Sequence, residues 1–144
     1  MHVTARVDYA LQAMVALADS ERSTVPANTL AERLDLSYTY LLSIVGDLRR
    51  AGFVTMQRGQ AGGLRLARPA HDIMLSEIIR AIDGPLTLAD GTEVESNADA
   101  NPSTQVQLQL PSLWAAAHHA MLDVFARVPL SEAGSIGVDH RAVD

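Results

Sequence analysis

Apolar positions recur at helical spacing through most of this chain, broken once by a block of strand spacing. Val7, Ala10, Leu11, Met14, Val15 and Ala18 repeat every three or four residues, with Arg6, Asp8 and Gln12 toward the other side, so residues 4–19 read as a long amphipathic first helix. After a polar break over residues 20–25, Pro26 fits the first turn of a second helix, whose buried stripe is Leu30, Ala31 and Leu34. Asp35-Leu36-Ser37 reads as a turn, with Ser37 as an N-cap whose hydroxyl satisfies an orphan amide of the next helix. In that third helix Leu41, Ile44, Val45 and Leu48 face inward, and Gly52 supplies a left-handed stop.

The period then changes. Phe53 to Gln57 and Leu64 to Ala67 read as strands, and the glycines between Arg58 and Gly63 allow a tight hairpin tip that exposes its backbone. Pro69 ends the hairpin, and Ile73, Leu75, Ile78, Ile79 and Ile82 make a short helix terminated by Gly84-Pro85. Residues 86–111 lose periodicity and read as a mobile loop. Ser112 is placed to cap a last long helix in which Leu113, Trp114, Ala117, Met121, Val124, Phe125 and Val128 share one broad face before Pro129, and the tail from Ser131 reads as frayed apart from a turn near Leu130. The predicted fold is mainly α: a winged helix-turn-helix over residues 1–84, an effector-type loop over 85–111, and a dimerisation helix with a tail over 112–144.

Composition bounds what such a fold can do. At 144 residues and 48% hydrophobic content the chain can bury one core, and no run approaches the roughly 18 apolar residues of a membrane span. Met1 to Thr4 opens into amphipathic helix rather than a signal peptide, so a soluble, cytoplasmic protein with no membrane partner is expected. The net charge of −6 is unevenly split: residues 1–70 hold eight Arg against six acids, leaving +2, and residues 71–144 hold three Arg against eleven acids, leaving −8. Nucleic acid responds to a local basic face, and the cations here are all Arg, which can fork to phosphate or to guanine edges. The absence of cysteine and lysine excludes disulfides, thiolate metal sites, thiol catalysis and a phosphate loop with its lysine. No enzyme motif is present.

The second helix of a helix-turn-helix enters the major groove N-terminus first, which makes Ser37, Tyr38, Thr39, Tyr40 and Ser43 the side chains best placed to meet bases or phosphates. The plainer alternative is that these hydroxyls cap and solvate an exposed helix. At the hairpin, Arg58 suits a minor groove, Gly62 presents backbone, and Arg65 and Arg68 suit phosphates. Leu113, Trp114, Ala117, Met121 and Phe125 form the expected homodimer seam. As metal candidates Asp8 and His118 are weak: adjacent His118 and His119 diverge by about 100° on a helix, and Asp8 also reads as a solvated first-turn carboxylate.

Two strings resemble a known family. Ser37-Tyr38-Thr39-Tyr40-Leu41 with Leu48-Arg49-Arg50-Ala51-Gly52-Phe53-Val54, and Arg58-Gly59-Gln60-Ala61-Gly62-Gly63-Leu64-Arg65-Leu66, resemble the Rrf-two family of winged-helix repressors, of the IscR and NsrR type. The resemblance extends over residues 1 to about 84. It implies homodimers formed by crossing C-terminal helices, each reading a palindromic site in double-stranded DNA. Ser37, Thr39, Tyr40 and Ser43 then lie on the recognition helix, Arg58 is the wing arginine, and Leu42 replaces a polar residue that some members use to discriminate bases. Asp8 matches an aspartate that NsrR-type members give to an iron–sulfur cluster, but the three cysteines expected between residues 86 and 111 are absent. The expectation is a cysteine-free, homodimeric, sequence-specific repressor with no iron–sulfur cofactor. Its rivals are a protein-interaction regulator and a metal- or ligand-responsive sensor.

Overall fold

The computed structural model describes residues 4–20, 23–84 and 110–134. The loop expected over 86–111 and the tail beyond Gly134 therefore lie outside the described residues, apart from Leu110 and Pro111.

Among the described residues, six helices and one hairpin follow in the order α1 (Ala5–Ala18), α2 (Ala27–Arg33), α3 (Tyr38–Arg50), β1 (Val54–Gln57), β2 (Gly63–Leu66), α4 (Leu75–Asp83), α5 (Leu110–Phe125) and α6 (Leu130–Ala133). A 3-10 turn over Ala70–Asp72 leads from the hairpin into α4. The chain is mainly helical with a two-stranded antiparallel sheet. Thr4 caps α1 and Ser37 caps α3, each accepting an amide N–H three residues on. Asp35 takes φ 53° in the tight turn between α2 and α3, a left-handed conformation that aspartate tolerates better than most residues. Gly52 stops α3 at φ 82°, where a side chain would be strained.

The inward stripes of α1, α2 and α3 meet in one core around Met14, Leu30, Leu41, Ile44 and Leu48, all fully buried. β2 closes it from the wing side through Leu64, and Ile73 and Ile78 close it from the α4 side. Within the described residues no helix is long and apolar enough to cross a membrane.

Three expectations about the C-terminal part need correction. The last helix starts at Leu110, so Ser112 lies inside its first turn rather than at its cap; Pro111 is tolerated there because first-turn amides have no helical partner. Val128 lies past the helix end, and its carbonyl accepts the amide of Leu75 at 3.0 Å. The turn expected near Leu130 is present as the short helix α6, and it carries Ser131 to Ala133, expected to fray, with it. Leu130 is buried and its amide bonds the Ile73 carbonyl at 2.8 Å, so α6 belongs to the core beneath α1. Helix α4 likewise begins at Leu75 rather than Ile73, because Ile73 is extended to make that pairing.

Candidate nucleic-acid interface

Helix α3 turns Leu41, Ile44, Val45 and Leu48 into the core, which leaves its other face outside. Tyr38, at 52% exposure, and Thr39 stand free at its N-terminal turn. The Ser37 hydroxyl accepts the Tyr40 amide at 3.2 Å, so capping and exposure coincide in one residue. Tyr40 is half-buried, its ring edge-on to Tyr9 of α1 with centroids 6.1 Å apart, and therefore helps fix the angle between α1 and α3. Ser43 is exposed one turn after Thr39.

Arg6 reaches this face from α1. It donates to the Ser43 hydroxyl at 3.0 Å and forms an ion pair with Asp47, whose other carboxylate oxygen pairs with Arg50. The Arg6 hydrogen bond holds the Asp47 carboxyl below its ordinary value against the opposing effect of burial, with Arg50 adding to the lowering. The acid on the outer side of α3 is thus paired with two cations. Sequence reading put Arg6 on the solvent side of α1, because nothing local signals a partner 41 residues away.

The wing is held as tightly as the helix. β1 and β2 pair Val54 with Leu66 and Gln57 with Gly63, turning Leu64 and Leu66 inward and Arg65 outward. β2 is also bridged to the segment before α2: Val25 and Leu64 exchange amide hydrogen bonds of 2.8 and 2.7 Å, and the Thr24 hydroxyl donates to the Ala61 carbonyl at 2.8 Å. At the tip a Cβ on Gly62 would sit 2.5 Å from the Gln57 carbonyl oxygen, so only glycine lets the turn close. Arg58 is exposed beside it.

Arg68 behaves differently from the expectation. Rather than facing phosphates it donates to the Asp72 carbonyl and to Glu77, both at 2.9 Å, and lies 5.4 Å over the Phe53 ring. Arg49 and Arg50, which sequence reading did not single out as site residues, instead line an open groove of about 600 Å³ between α3 and β1, with Gly46 and Thr55. The doublet of arginines at a helix end beside a strand was the available signal.

An exposed hydroxyl-rich helix flanked by an arginine-tipped hairpin is the geometry of a DNA reader, and comparison with known proteins gives the same answer. The profile of the Rrf2 family, described as iron-dependent transcriptional regulator, matches residues 3–133. This chain belongs to the Rrf2 family. It is 31% identical over 133 residues to the helix-turn-helix regulator IscR of Vibrio campbellii, covering 92% of this chain and 76% of that one. The fold matches CymR, the global cysteine regulator of B. subtilis, with a TM-score of 0.73 at 27% identity over 95% of this chain and 98% of that one. It also matches IscR of T. potens, with a TM-score of 0.71 at 25% identity over 100% and 94% of the two chains. The Rrf2 chain is therefore a transcriptional regulator rather than an enzyme, and its mainly helical fold with a two-stranded wing is the winged helix of these neighbours.

The family description names iron, but the donors of this Rrf2 regulator do not fit an iron–sulfur cluster. Its 144 residues contain no thiol. Asp8 is exposed and accepts a hydrogen bond from Gln12 at 2.8 Å. The half-buried rings of His118 and His119 stand 6.4 Å apart and inclined at 70°, and no group of three His, Asp or Glu gathers among the described residues.

Helix α5 divides the expected seam. Met121 and Phe125 pack onto the regulator's own α1 and α4, as does Leu122, a core contact that sequence reading missed. Leu113, Trp114 and Val124 are left at 64%, 50% and 64% exposure, and Ala117 is half-buried. Leu113, Ala117, Ala120 and Val124 fall within about 60° of one another around a helix that turns about 100° per residue, so they form an apolar stripe on α5, with exposed Trp114 on one side of it and exposed Ala116 and Asp123 on the other.

Proposed function

We propose that this Rrf2 regulator is a homodimeric, sequence-specific repressor that binds palindromic operators in the cytoplasm and works without an iron–sulfur cluster. The observation that carries the proposal is the continuous surface made by the N-terminal turn of α3, the Arg49 and Arg50 groove, and the wing with Arg58 and Arg65. In this reading Tyr38, Thr39 and Ser43 meet base edges. Ser37, Tyr40 and the Gly62 backbone set their approach, and the arginines hold phosphates. Repression follows from occupancy of promoter DNA.

The exposed stripe on α5 supports the dimer. Small Ala117 and Ala120 at its centre let two copies cross closely, with Leu113 of each meeting Val124 of the other under two-fold symmetry. A two-fold protein reads an inverted repeat, so selection of bound duplexes from a random pool is the test. It should return two half-sites about one helical turn apart, and it would reject the proposal by returning no enriched sequence. A reporter driven from a promoter carrying that site should fall silent when the regulator is expressed.

A second reading, response to a small molecule, is favoured by an open pocket of about 490 Å³ whose walls include Leu11, Val15, Leu75 and Phe125, with Gln12 and Asp19 as polar groups. It joins α1, which carries Arg6, to α5. Narrowing the pocket with Ala16→Trp would leave operator affinity unchanged but abolish any ligand-dependent change in it.

A further inference from the structure

Ser43 is a candidate base contact whose hydroxyl is engaged from behind by a charged side chain of another helix. Its Oγ accepts a hydrogen bond from Arg6 Nη2 at 3.0 Å, the same nitrogen lies 3.3 Å from the Ser43 carbonyl oxygen, and the guanidinium is anchored by Asp47. Asp47 is itself held by Arg50, so the cation behind Ser43 is fixed by a four-residue network spanning α1 and α3.

A serine hydroxyl carries one proton and two lone pairs, and an unconstrained one can donate to a base acceptor or accept from a base amino group. The contact from Arg6 biases that choice toward donation. It fills one lone pair, and its charge turns the hydroxyl proton away from the guanidinium. Accepting a charged donor also polarises the O–H bond, making the group a stronger donor and a weaker acceptor. Among the described residues no acceptor takes the Ser43 proton, and the residue is exposed. The proton is free to point outward.

We propose that Arg6 is a positioning residue that fixes Ser43 as a hydrogen-bond donor, so that the base beneath Ser43, on the strand that the hydroxyl faces, is chosen for a major-groove acceptor. The candidates are purine N7, guanine O6 and thymine O4, and cytosine, which presents its N4 amino group, is rejected. This rests on α3 being the recognition helix. It adds that part of the operator preference is set by a residue on another helix that touches no base.

The test is to repeat selection from a random duplex pool with the full chain as wild type, Ser43→Ala, Arg6→Met and Arg6→Lys, and to compare base preference position by position. Wild type should exclude cytosine at one position of each half-site by about fivefold, the worth of one hydrogen bond. Ser43→Ala and Arg6→Met should lose that exclusion while keeping the rest of the site, and Arg6→Lys, which restores a charged donor, should regain at least part of it. Uniform weakening by Arg6→Met with an unchanged preference would make Arg6 merely structural and overturn the inference, as would an unchanged preference in Ser43→Ala, which removes only the hydroxyl. If no variant, wild type included, enriches any sequence, the DNA-reading proposal itself falls, and this inference with it.

Discussion

The carboxylate of Glu77 accepts a hydrogen bond from Arg68 at 2.9 Å, while its other oxygen accepts the Met74 amide at 2.8 Å. One side chain therefore both caps α4 and ties it to the residue that follows the wing. Arg68 continues the link by lying over Phe53, the residue between α3 and β1. The connection from α3 to β1, the segment after the hairpin and α4 meet at a single guanidinium, and α4 is the helix on which α5 rests.

That link makes stability depend on pH in acid. The Met74 amide first, and then Arg68, hold Glu77 below its ordinary value of 4.5, as Arg6 holds Asp47 below 3.8. Depressed carboxylates stabilise the fold above those ordinary values, and the contribution is lost as pH falls through the lowered folded ones. Urea unfolding midpoints should be level near neutrality and fall below about pH 4.5. Glu77→Gln and Asp47→Asn should each flatten part of that fall, by about 1 kcal/mol or less for pairs this exposed.

How much of this was legible depended on distance along the chain. Ser37, Gly52 and the wing glycines announce caps and turns that are settled within four residues, and the apolar stripes of α1 to α3 have helical period. Arg6 with Asp47, Val25 with Leu64 and Arg68 with Glu77 are pairings across the fold, with no local signature. Arg68 looked like a phosphate contact for that reason. Helix α5 failed differently: it carries no charge before Asp123, so its period could not separate the face that meets α1 and α4 from the exposed stripe.

Arg58 should matter for affinity rather than for base preference. It is exposed at the wing tip and has no ion-pair partner among the described residues. Arg58→Ala should weaken binding across sequences and lower the slope of log affinity against log salt by about one per protomer, measured by anisotropy. An unchanged slope would take the wing out of the interface.

Gly62→Ala should damage the wing and spare the core. The added Cβ meets two backbone carbonyls, at Gln57 and Gly59, which cannot both withdraw without opening the hairpin. A cost of about 1–3 kcal/mol, typical of forced overpacking, is expected in thermal unfolding. DNA affinity should fall by more than this loss of folded protein explains.

Val124→Asp should separate the protomers. It puts a charge on the exposed stripe of α5, facing away from Leu122 and its contacts with Val7 and Ile79. Sedimentation should show dimer for the wild type and monomer for the variant, with circular dichroism unchanged. A variant that stays dimeric would move the seam elsewhere.

The salt dependence of binding to a selected operator duplex tests the central claim most directly. If two protomers each neutralise phosphates with Arg49, Arg58 and Arg65, roughly six contacts form, and affinity should drop by about a thousandfold between 50 and 200 mM salt. Saturation should occur at two protomers per duplex. Weak binding with a flat salt response, or saturation at one protomer per duplex, would contradict the account.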